Sequence, residues 1–388
     1  MMNSFRLSAS GIFVAAILAV ISTPQVCAAT ETNQVESAST QTNRLERWNE
    51  LTMDATKALR VNQLPKAIQL CEEALTLSAT FGSTNTCFSR TQVLRAQIYM
   101  WEKKPDLAED MFQKAVVSCE KAAGTNSMEL EHPLSSLANF YYFVVPHLDR
   151  VAPIFERILH IVETSPHPEP RDLILWSRNL GKIYQEMKQY EKAEPFFKRA
   201  ALICEKEVPE WMPYELLTAA DFFRDWGKFD LAEVLARRSL ELREQRLATG
   251  GVDAQMELTV SLGNLGLTYL AAHKPEKAEE TFRRSLKILG EIVSPTETVL
   301  TPHLIGLGDA FQQQGKLADA EKLYARTLAL AETNQVADTR ATAAFLDKYA
   351  QLLTEENKID EAKKQADRAK AIRAQLEAKT ASRPSIEQ

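Results

Sequence analysis

The sequence has few of the residues and spacings that build catalytic or metal sites. It contains only 13 glycines and 6 histidines in 388 residues. No two histidines form a His-x-x-x-His pair, and no cysteines have the Cys-x-x-Cys spacing of a zinc site. A Gly-x-Ser-x-Gly nucleophile turn and a Gly-Lys-Ser/Thr phosphate loop are both absent. We therefore expect no catalytic residues, no metal site and no cofactor.

Excess positive charge and long apolar runs are also lacking. The 46 lysines and arginines are outnumbered by 52 aspartates and glutamates, which gives a formal net charge of -6. Domains that bind nucleic acid are usually basic, so this balance disfavours a nucleic-acid partner. Beyond the N-terminus no apolar stretch approaches the roughly 20 residues that a membrane helix needs. We expect no stable membrane span in the mature chain.

The N-terminus carries the one apolar run. Arg6 precedes Ile12 to Ile21, Pro24 follows, and small residues around Cys27 offer cleavage positions. This pattern predicts a cleaved signal peptide at 1–29 and an extracytoplasmic chain, secreted or periplasmic. The alternative is an uncleaved anchor. Residues 30–44 are polar enough to predict a disordered linker, and 375–388 predict a polar tail.

The informative feature of the sequence is a period of about 42 residues. A small residue, almost always alanine, recurs at this spacing, and we call these positions the anchors. They are Ala67, Ala108, Val151, Ala193, Ala232, Ala278, Ala320 and Ala362.

The residues around each anchor predict two antiparallel helices per repeat. A large apolar residue such as Tyr184 or Tyr269 lies before most anchors, and apolar residues around it follow helical spacing. Pro105 and Pro275 come just before the expected second helix, where a missing N–H has no intrahelical partner. Gly315 stands at the same turn, where it can end the first helix.

The pattern resembles the tetratricopeptide repeat. Leu180-Gly181, Tyr184, Ala193 and Phe197 match its signature, as do the equivalent residues around Ala278 and Ala320. The period is longer than the usual 34 residues and is similar to that of kinesin light chain repeats. The resemblance implies an all-α, right-handed α-solenoid of about eight antiparallel helix pairs over 45–374.

In the family that this chain resembles, the first helices line a concave groove that binds peptides or partner helices. The resemblance places the candidate groove residues by position on the first helices. They are Arg90, Gln97, Asn139, Arg178, Lys182, Gln185, Asp221, Arg224, Gln312, Gln313, Lys348 and Gln351. Their charges are mixed, with a basic pair at Arg178 and Lys182. The alternative for each residue is an ordinary solvated helix face.

The cysteines that follow the predicted signal peptide allow a disulfide in an oxidising compartment. Cys87 begins the first helix of the second repeat and Cys119 ends its second helix, so these ends can meet. The sequence therefore allows a Cys87–Cys119 bond, and it also allows a Cys71–Cys87 bond, since these two residues flank the preceding turn between repeats. The alternative is that the cysteines are buried thiols that act as small apolar residues.

Together these patterns predict a non-enzymatic, exported scaffold or adaptor that binds a peptide or partner protein in a solenoid groove. The alternative is an accessory or regulatory subunit of an envelope or secretion assembly. The sequence does not name the partner.

Overall fold

The computed structural model describes residues 38–82, 84–294, 296–334 and 339–381. Regular structure within these ranges is entirely helical. The predicted signal peptide at 1–29 lies outside the described residues. The helices in order are α1 (Ala38–Arg60), α2 (Leu64–Ser78), α3 (Cys87–Trp101), α4 (Pro105–Ala123), α5 (Glu131–Phe143), α6 (Leu148–Thr164), α7 (Pro170–Glu186), α8 (Tyr190–Glu207), α9 (Met212–Asp225), α10 (Phe229–Ala271), α11 (Pro275–Ile292), α12 (Thr301–Gln313), α13 (Leu317–Thr333), α14 (Arg340–Glu355) and α15 (Ile359–Ala381).

One of these helices, α10, is two helices joined at a kink. Gly251 has φ 58° and ψ -147°, a backbone conformation that glycine adopts without steric cost. Counting α10 as two, the described helices form eight pairs in chain order, each with a first and a second helix. This confirms the predicted all-α solenoid of helix pairs. The right-handed twist of the stack stays a prediction.

The anchors explain why the two helices of a repeat pack closely. All eight lie near the start of a second helix and are buried, with Ala362 the most exposed at 5 %. A side chain this small lets a large neighbour approach, as close helix packing requires.

The turns between the two helices of a repeat share one backbone conformation. In seven repeats a residue with positive φ stands between the first and second helices. Glycine provides it twice, and elsewhere the position holds Asn, Lys or His. These residues are Asn62, Lys103, Lys188, Gly227, His273, Gly315 and Asn357. The third repeat, which has Pro146 at this place, departs from the pattern.

The chain divides into two compact units, and the division falls within α8 between Phe196 and Phe197. In the N-terminal unit, Leu59 of α1, Cys71 of α2 and Ile98 of α3 belong to one buried cluster. The first helices α1, α3 and α5 also contact one another in sequence. This unit therefore buries its core between consecutive repeats.

In the C-terminal unit one buried cluster runs from α9 to α15. Tyr269, Phe282, Phe311, Tyr324 and Tyr349 belong to the same buried cluster. They occupy the positions at which the repeat pattern has large apolar residues. The last three repeats thus contribute aromatic rings to a shared core that no single repeat could bury alone.

The helical region extends beyond both predicted ends. Helix α1 begins at Ala38, within the predicted linker, and α15 continues to Ala381, within the predicted tail. At the N-terminal end, Arg44 donates to the carbonyl of Thr80 at 3.2 Å and lies over the ring of Phe81 at 5.4 Å. Packing of this long side chain accounts for a helix that the polar composition did not predict.

The four described cysteines are buried, and no disulfide joins any two of them. Cys87 packs with Trp48 and Phe81 of the preceding repeat, whereas Cys119 lies beside Ser89. The Cys87–Cys119 bond that the sequence allowed is therefore not formed, because the two thiols sit in different surroundings. Burial raises the pKa of Cys119 to about 11 and that of Cys71 to about 12, so both remain protonated at neutral pH.

Candidate functional site

The twelve candidate residues all lie on first helices. Arg90 and Gln97 are on α3, Asn139 on α5, and Arg178, Lys182 and Gln185 on α7. In the C-terminal unit Asp221 and Arg224 are on α9, Gln312 and Gln313 on α12, and Lys348 and Gln351 on α14. Gln313 and Gln351 are exposed and the others are half-buried. Their role in binding stays a prediction.

In the N-terminal unit, contacts to α5 and α6 fix the position of α7. Trp176 donates its indole N–H to Glu131 Oε1 at 3.2 Å, and its ring lies edge-on to Phe155 at 5.3 Å. Burial raises the pKa of Glu131, and the nearby Asp172 carboxylate adds to the effect. These contacts hold the helix that carries the basic pair Arg178 and Lys182.

Arg90 has a structural role that the sequence did not reveal. Its guanidinium donates to Glu129 Oε2 at 2.7 Å, and its side chain is only 16 % exposed. Thr86 donates to the same oxygen at 3.2 Å. Because Glu129 lies in the short 3-10 turn before α5, this cluster joins two repeats, and little of Arg90 is left to contact a ligand.

In the C-terminal unit the candidate residues bridge neighbouring first helices. Asn264 donates to Asp221 Oδ1 at 2.6 Å, and Arg224 pairs with the same carboxylate on its own helix. Arg224 also donates to Asn264 Oδ1 at 3.4 Å. The three side chains therefore form a closed triangle between α9 and the second half of α10.

A second bridge joins α12 to α14. Lys348 Nζ lies 2.7 Å from Asp309 Oδ2, and the hydroxyl of the buried Tyr324 donates to the same carboxylate. Burial, followed by the charge of Asp309, raises the pKa of Tyr324, which keeps the phenol a proton donor. A core residue thus fixes the orientation of a surface ion pair.

The glutamines extend this polar network. Gln312 donates to Glu355 at 2.9 Å and Gln351 donates to the other oxygen of that carboxylate at 3.3 Å. Gln313 donates to the carbonyl of Leu270 at 3.3 Å. The arrangement orients amide and carboxylate groups along the first helices, where they can exchange hydrogen bonds with a peptide backbone.

Three residues of this network were not predicted. Asn264, Asp309 and Glu355 contact the candidates directly, yet they are not among the twelve candidate residues. For Asp309 a signal existed, because it occupies the same position before its anchor as Lys182, Asp221 and Gln351. In the described part of the chain, no group of three or more His, Cys, Asp or Glu side chains is arranged to hold a metal ion.

Two stretches of the chain match family models of the same repeat. Residues 252–385 match the MalT-like TPR region, and residues 179–207 match the tetratricopeptide repeat. Within the searched residues, no helix is both long and apolar enough to cross a membrane.

A curated plant protein is similar to part of the chain. The chloroplastic protein FLUORESCENT IN BLUE LIGHT of Arabidopsis thaliana is 30 % identical over 103 residues, which are 26 % of this chain. The chain spans about a third of that relative's length, 32 %.

Two solved structures have a fold similar to that of this chain. A signal transduction ATPase with a tetratricopeptide repeat sensor from Pyrococcus horikoshii has a TM-score of 0.55 and 16 % identity, and the match covers 79 % of this chain and 44 % of that one. BtubC from P. vanneervenii has a TM-score of 0.50 and 16 % identity, covering 59 % and 92 %. The family-model matches, the buried anchors and this fold agree that the chain contains tetratricopeptide repeats, at 179–207 and within 252–385, and that its repeat period is about 42 residues.

Proposed function

We propose that the protein is an exported, non-enzymatic scaffold that binds a peptide or partner protein along its first helices. The tetratricopeptide-repeat solenoid is an architecture for protein–protein interaction, since its stacked repeats present extended surfaces. Export rests on the predicted signal peptide at 1–29, and the proposed location is secreted or periplasmic.

The observation that carries the proposal is the network of side-chain bonds between neighbouring first helices. Asp221 with Asn264, and Asp309 with Lys348, are held in one geometry before any partner arrives. A preorganised surface loses less side-chain entropy on binding than a mobile one. The same groups offer both hydrogen-bond donors and acceptors, which suits an extended peptide.

In the N-terminal unit the basic pair supplies the charge preference. Arg178 and Lys182 are four residues apart on α7 and share one helix face with Gln185. We propose that an acidic group of the partner binds here, because a guanidinium and an ammonium together favour a carboxylate.

Site-specific photo-crosslinking in the native host tests the proposal. A photoreactive amino acid replaces Gln97 or Gln185 on first helices, and Gln69 or Leu202 on second helices serves as the matched control. Both control positions are exposed. The proposal expects a discrete crosslinked partner at the first-helix positions alone. Crosslinks confined to the control positions, or none at any position, would contradict it.

A further inference from the structure

The N-terminal unit exposes large apolar side chains along one edge. Val61, Trp101, Leu107 and Phe143 are 64 %, 51 %, 46 % and 48 % exposed. All four lie at or beside the turn between the first and second helices of the first three repeats. We call these four residues the apolar edge. A cluster of this kind on a folded surface marks a site of interaction.

Packing between the repeats brings the turns of this edge together. Leu59, two residues before Val61, packs in one cluster with Ile98, three residues before Trp101. Glu109, two residues after Leu107, accepts hydrogen bonds from Tyr141 at 2.7 Å and Arg150 at 3.0 Å. The apolar edge therefore runs across three consecutive repeats of one unit.

The repeat fold itself does not require apolar residues at these positions. The residues that precede the C-terminal anchors by the same distance as Trp101 are Ala271, Gln313 and Glu355. Those equivalent to Val61 are Ala272, Gln314 and Glu356. The fifth repeat has Trp226 at the Val61 position, but the seventh and eighth repeats complete the same turns with polar residues at both positions, so the turn itself does not require the apolar edge.

Neighbouring contacts fix the position of Phe143, one residue of the apolar edge. The ring of Phe143 lies edge-on to that of Tyr142 at 4.6 Å, and the Tyr142 hydroxyl donates to Glu186 at 2.7 Å. Arg150 lies over the ring of Tyr141 at 5.2 Å while it pairs with Glu109. These contacts keep Phe143 at the surface of the unit.

Cationic side chains surround the apolar edge, although the whole chain is acidic. Exposed acidic residues on the same turns are fewer, namely Asp106 and Asp149. The exposed cations on these turns are Arg60, Lys66, Lys103, Lys104 and Arg150. The local charge is therefore opposite in sign to the formal net charge of -6.

We propose that the apolar edge is a docking surface for an anionic lipid bilayer. Apolar side chains that project from turns among lysines and arginines match a bilayer surface, where tryptophan sits at headgroup level and cations meet anionic lipids. Each side chain enters the interface from the end of a rigid helix. The protein thus lies on the membrane by one edge of its N-terminal unit.

Vesicle flotation of the full chain measures this docking. Vesicles of phosphatidylglycerol and phosphatidylcholine are compared with vesicles of phosphatidylcholine alone. The test variant is Trp101→Ser/Phe143→Ser. The control variant is Val234→Ser/Val260→Ser, which removes side chains that are 63 % and 56 % exposed in the C-terminal unit. We expect the test variant to lose at least about tenfold in partitioning onto anionic vesicles, and the control to match the wild type.

A charge series separates lipid electrostatics from apolar contact. Lys66→Glu/Lys103→Glu weakens binding to anionic vesicles by more than about fivefold per residue, because each cation near the surface contributes and the reversal adds repulsion. Lys277→Glu/Lys322→Glu, both at exposed positions of the C-terminal unit, leaves binding unchanged. Thermal unfolding followed by circular dichroism checks that all variants remain folded.

Quenching by brominated lipids locates the contact. The wild type loses tryptophan fluorescence on brominated anionic vesicles, and Trp101→Phe abolishes most of that loss. Equal flotation of wild type and test variant would assign lipid binding to the N-terminal apolar run and overturn the proposal. Trp101-dependent dimers in analytical ultracentrifugation, with no vesicle binding, would assign the edge to a second copy and also overturn it.

Discussion

The ring of Phe282 packs directly against the backbone of Gly266, so that a Cβ at Gly266 would lie 2.6 Å from Phe282 Cζ. The same ring also fills the space beside Gly306 in the next repeat. One aromatic side chain therefore sets the spacing both within a repeat and between repeats. This geometry confirms that Gly266 lies at a close helix contact, as the Leu-Gly signature predicts.

Replacing Gly266 tests this contact. Gly266→Leu should destabilise the protein by about 1–3 kcal/mol, because the new side chain displaces the buried ring of Phe282. Gly290→Ala is the matched control, since a Cβ there meets nothing within 4 Å. It should be neutral or stabilise by up to about 1 kcal/mol. Chemical denaturation measures both, and an unchanged midpoint for Gly266→Leu would contradict the packing.

A ladder of ion pairs links the turns of the C-terminal unit. The glutamate after each anchor pairs with the lysine that precedes the next anchor. Glu233 lies 2.8 Å from Lys274, Glu279 lies 3.1 Å from Lys316, and Glu321 lies 2.6 Å from Lys358. Partial burial raises the pKa of Glu279, but hydrogen bonds from Gln314, Arg283 and Lys316 outweigh this and hold it below its usual value.

A double-mutant cycle measures one rung of the ladder. Glu279→Gln with Lys316→Met should give a coupling free energy of about 0.5–1 kcal/mol, because Glu279 is partly buried and its partners are fixed. The exposed pair Asp319–Lys322, at 2.9 Å, is the control and should show no measurable coupling. Equal coupling free energies in the two cycles would contradict the expectation that the ion pairs between repeats stabilise the fold more than an exposed pair within one helix.

His273 occupies a turn position that glycine fills in other repeats. Its φ is 54°, whereas the equivalent Gly315 has φ 75°. His273→Gly should therefore stabilise the protein by about 0.5–1 kcal/mol, and Gly315→Ala should destabilise it by a similar amount. Thermal unfolding of the two variants gives the sign directly, and the same sign for both would refute the turn geometry.

A buried histidine gives the fold a dependence on pH. His303 is 7 % exposed and its Nδ1 lies 3.0 Å from Ser285 Oγ. Burial lowers the pKa of His303 to about 4, from 6.5. Between these values the unfolded chain binds the proton and the folded chain does not. Stability from this group is therefore complete above pH 6.5 and is lost as the pH falls toward 4.

Protonation of His303 should lower the free energy of unfolding by about 3 kcal/mol at pH 4, relative to neutral pH. His303→Asn, which cannot titrate, should reduce the slope in that pH range, and the remaining slope is expected from His132, whose pKa burial also lowers to about 4. Urea unfolding at several pH values between 4 and 7 measures the slopes, and identical slopes for wild type and His303→Asn would exclude the histidine as the cause.

The repeat, its helix pairs and its close contacts could be predicted because they depend on local spacing. The anchors, the prolines before second helices and the glycine of each Leu-Gly pair act through sterics that a sequence displays. The Leu-Gly signature marks Gly266 as a position of close helix contact, and the structure shows that the ring of Phe282 fills it.

Other features could not be predicted because they depend on contacts between residues that are distant in the sequence. The polar start of α1 is ordered by Arg44 against Phe81, and Arg90 is drawn to Glu129 of the following repeat. Cys87 and Cys119 share a helix pair but sit in different surroundings. The apolar edge was not predicted for a similar reason, since the exposure of Trp101 depends on neighbouring repeats.

The most direct test of the proposed scaffold function is a quantitative co-purification from the host's exported fraction. The wild type is compared with Arg178→Glu/Lys182→Glu and with the control Lys121→Glu/Lys206→Glu, whose positions are exposed on second helices. We predict a partner that the wild type and the control retain, and that the first-helix variant loses by more than about tenfold. Equal recovery with all three proteins would contradict binding along the first helices.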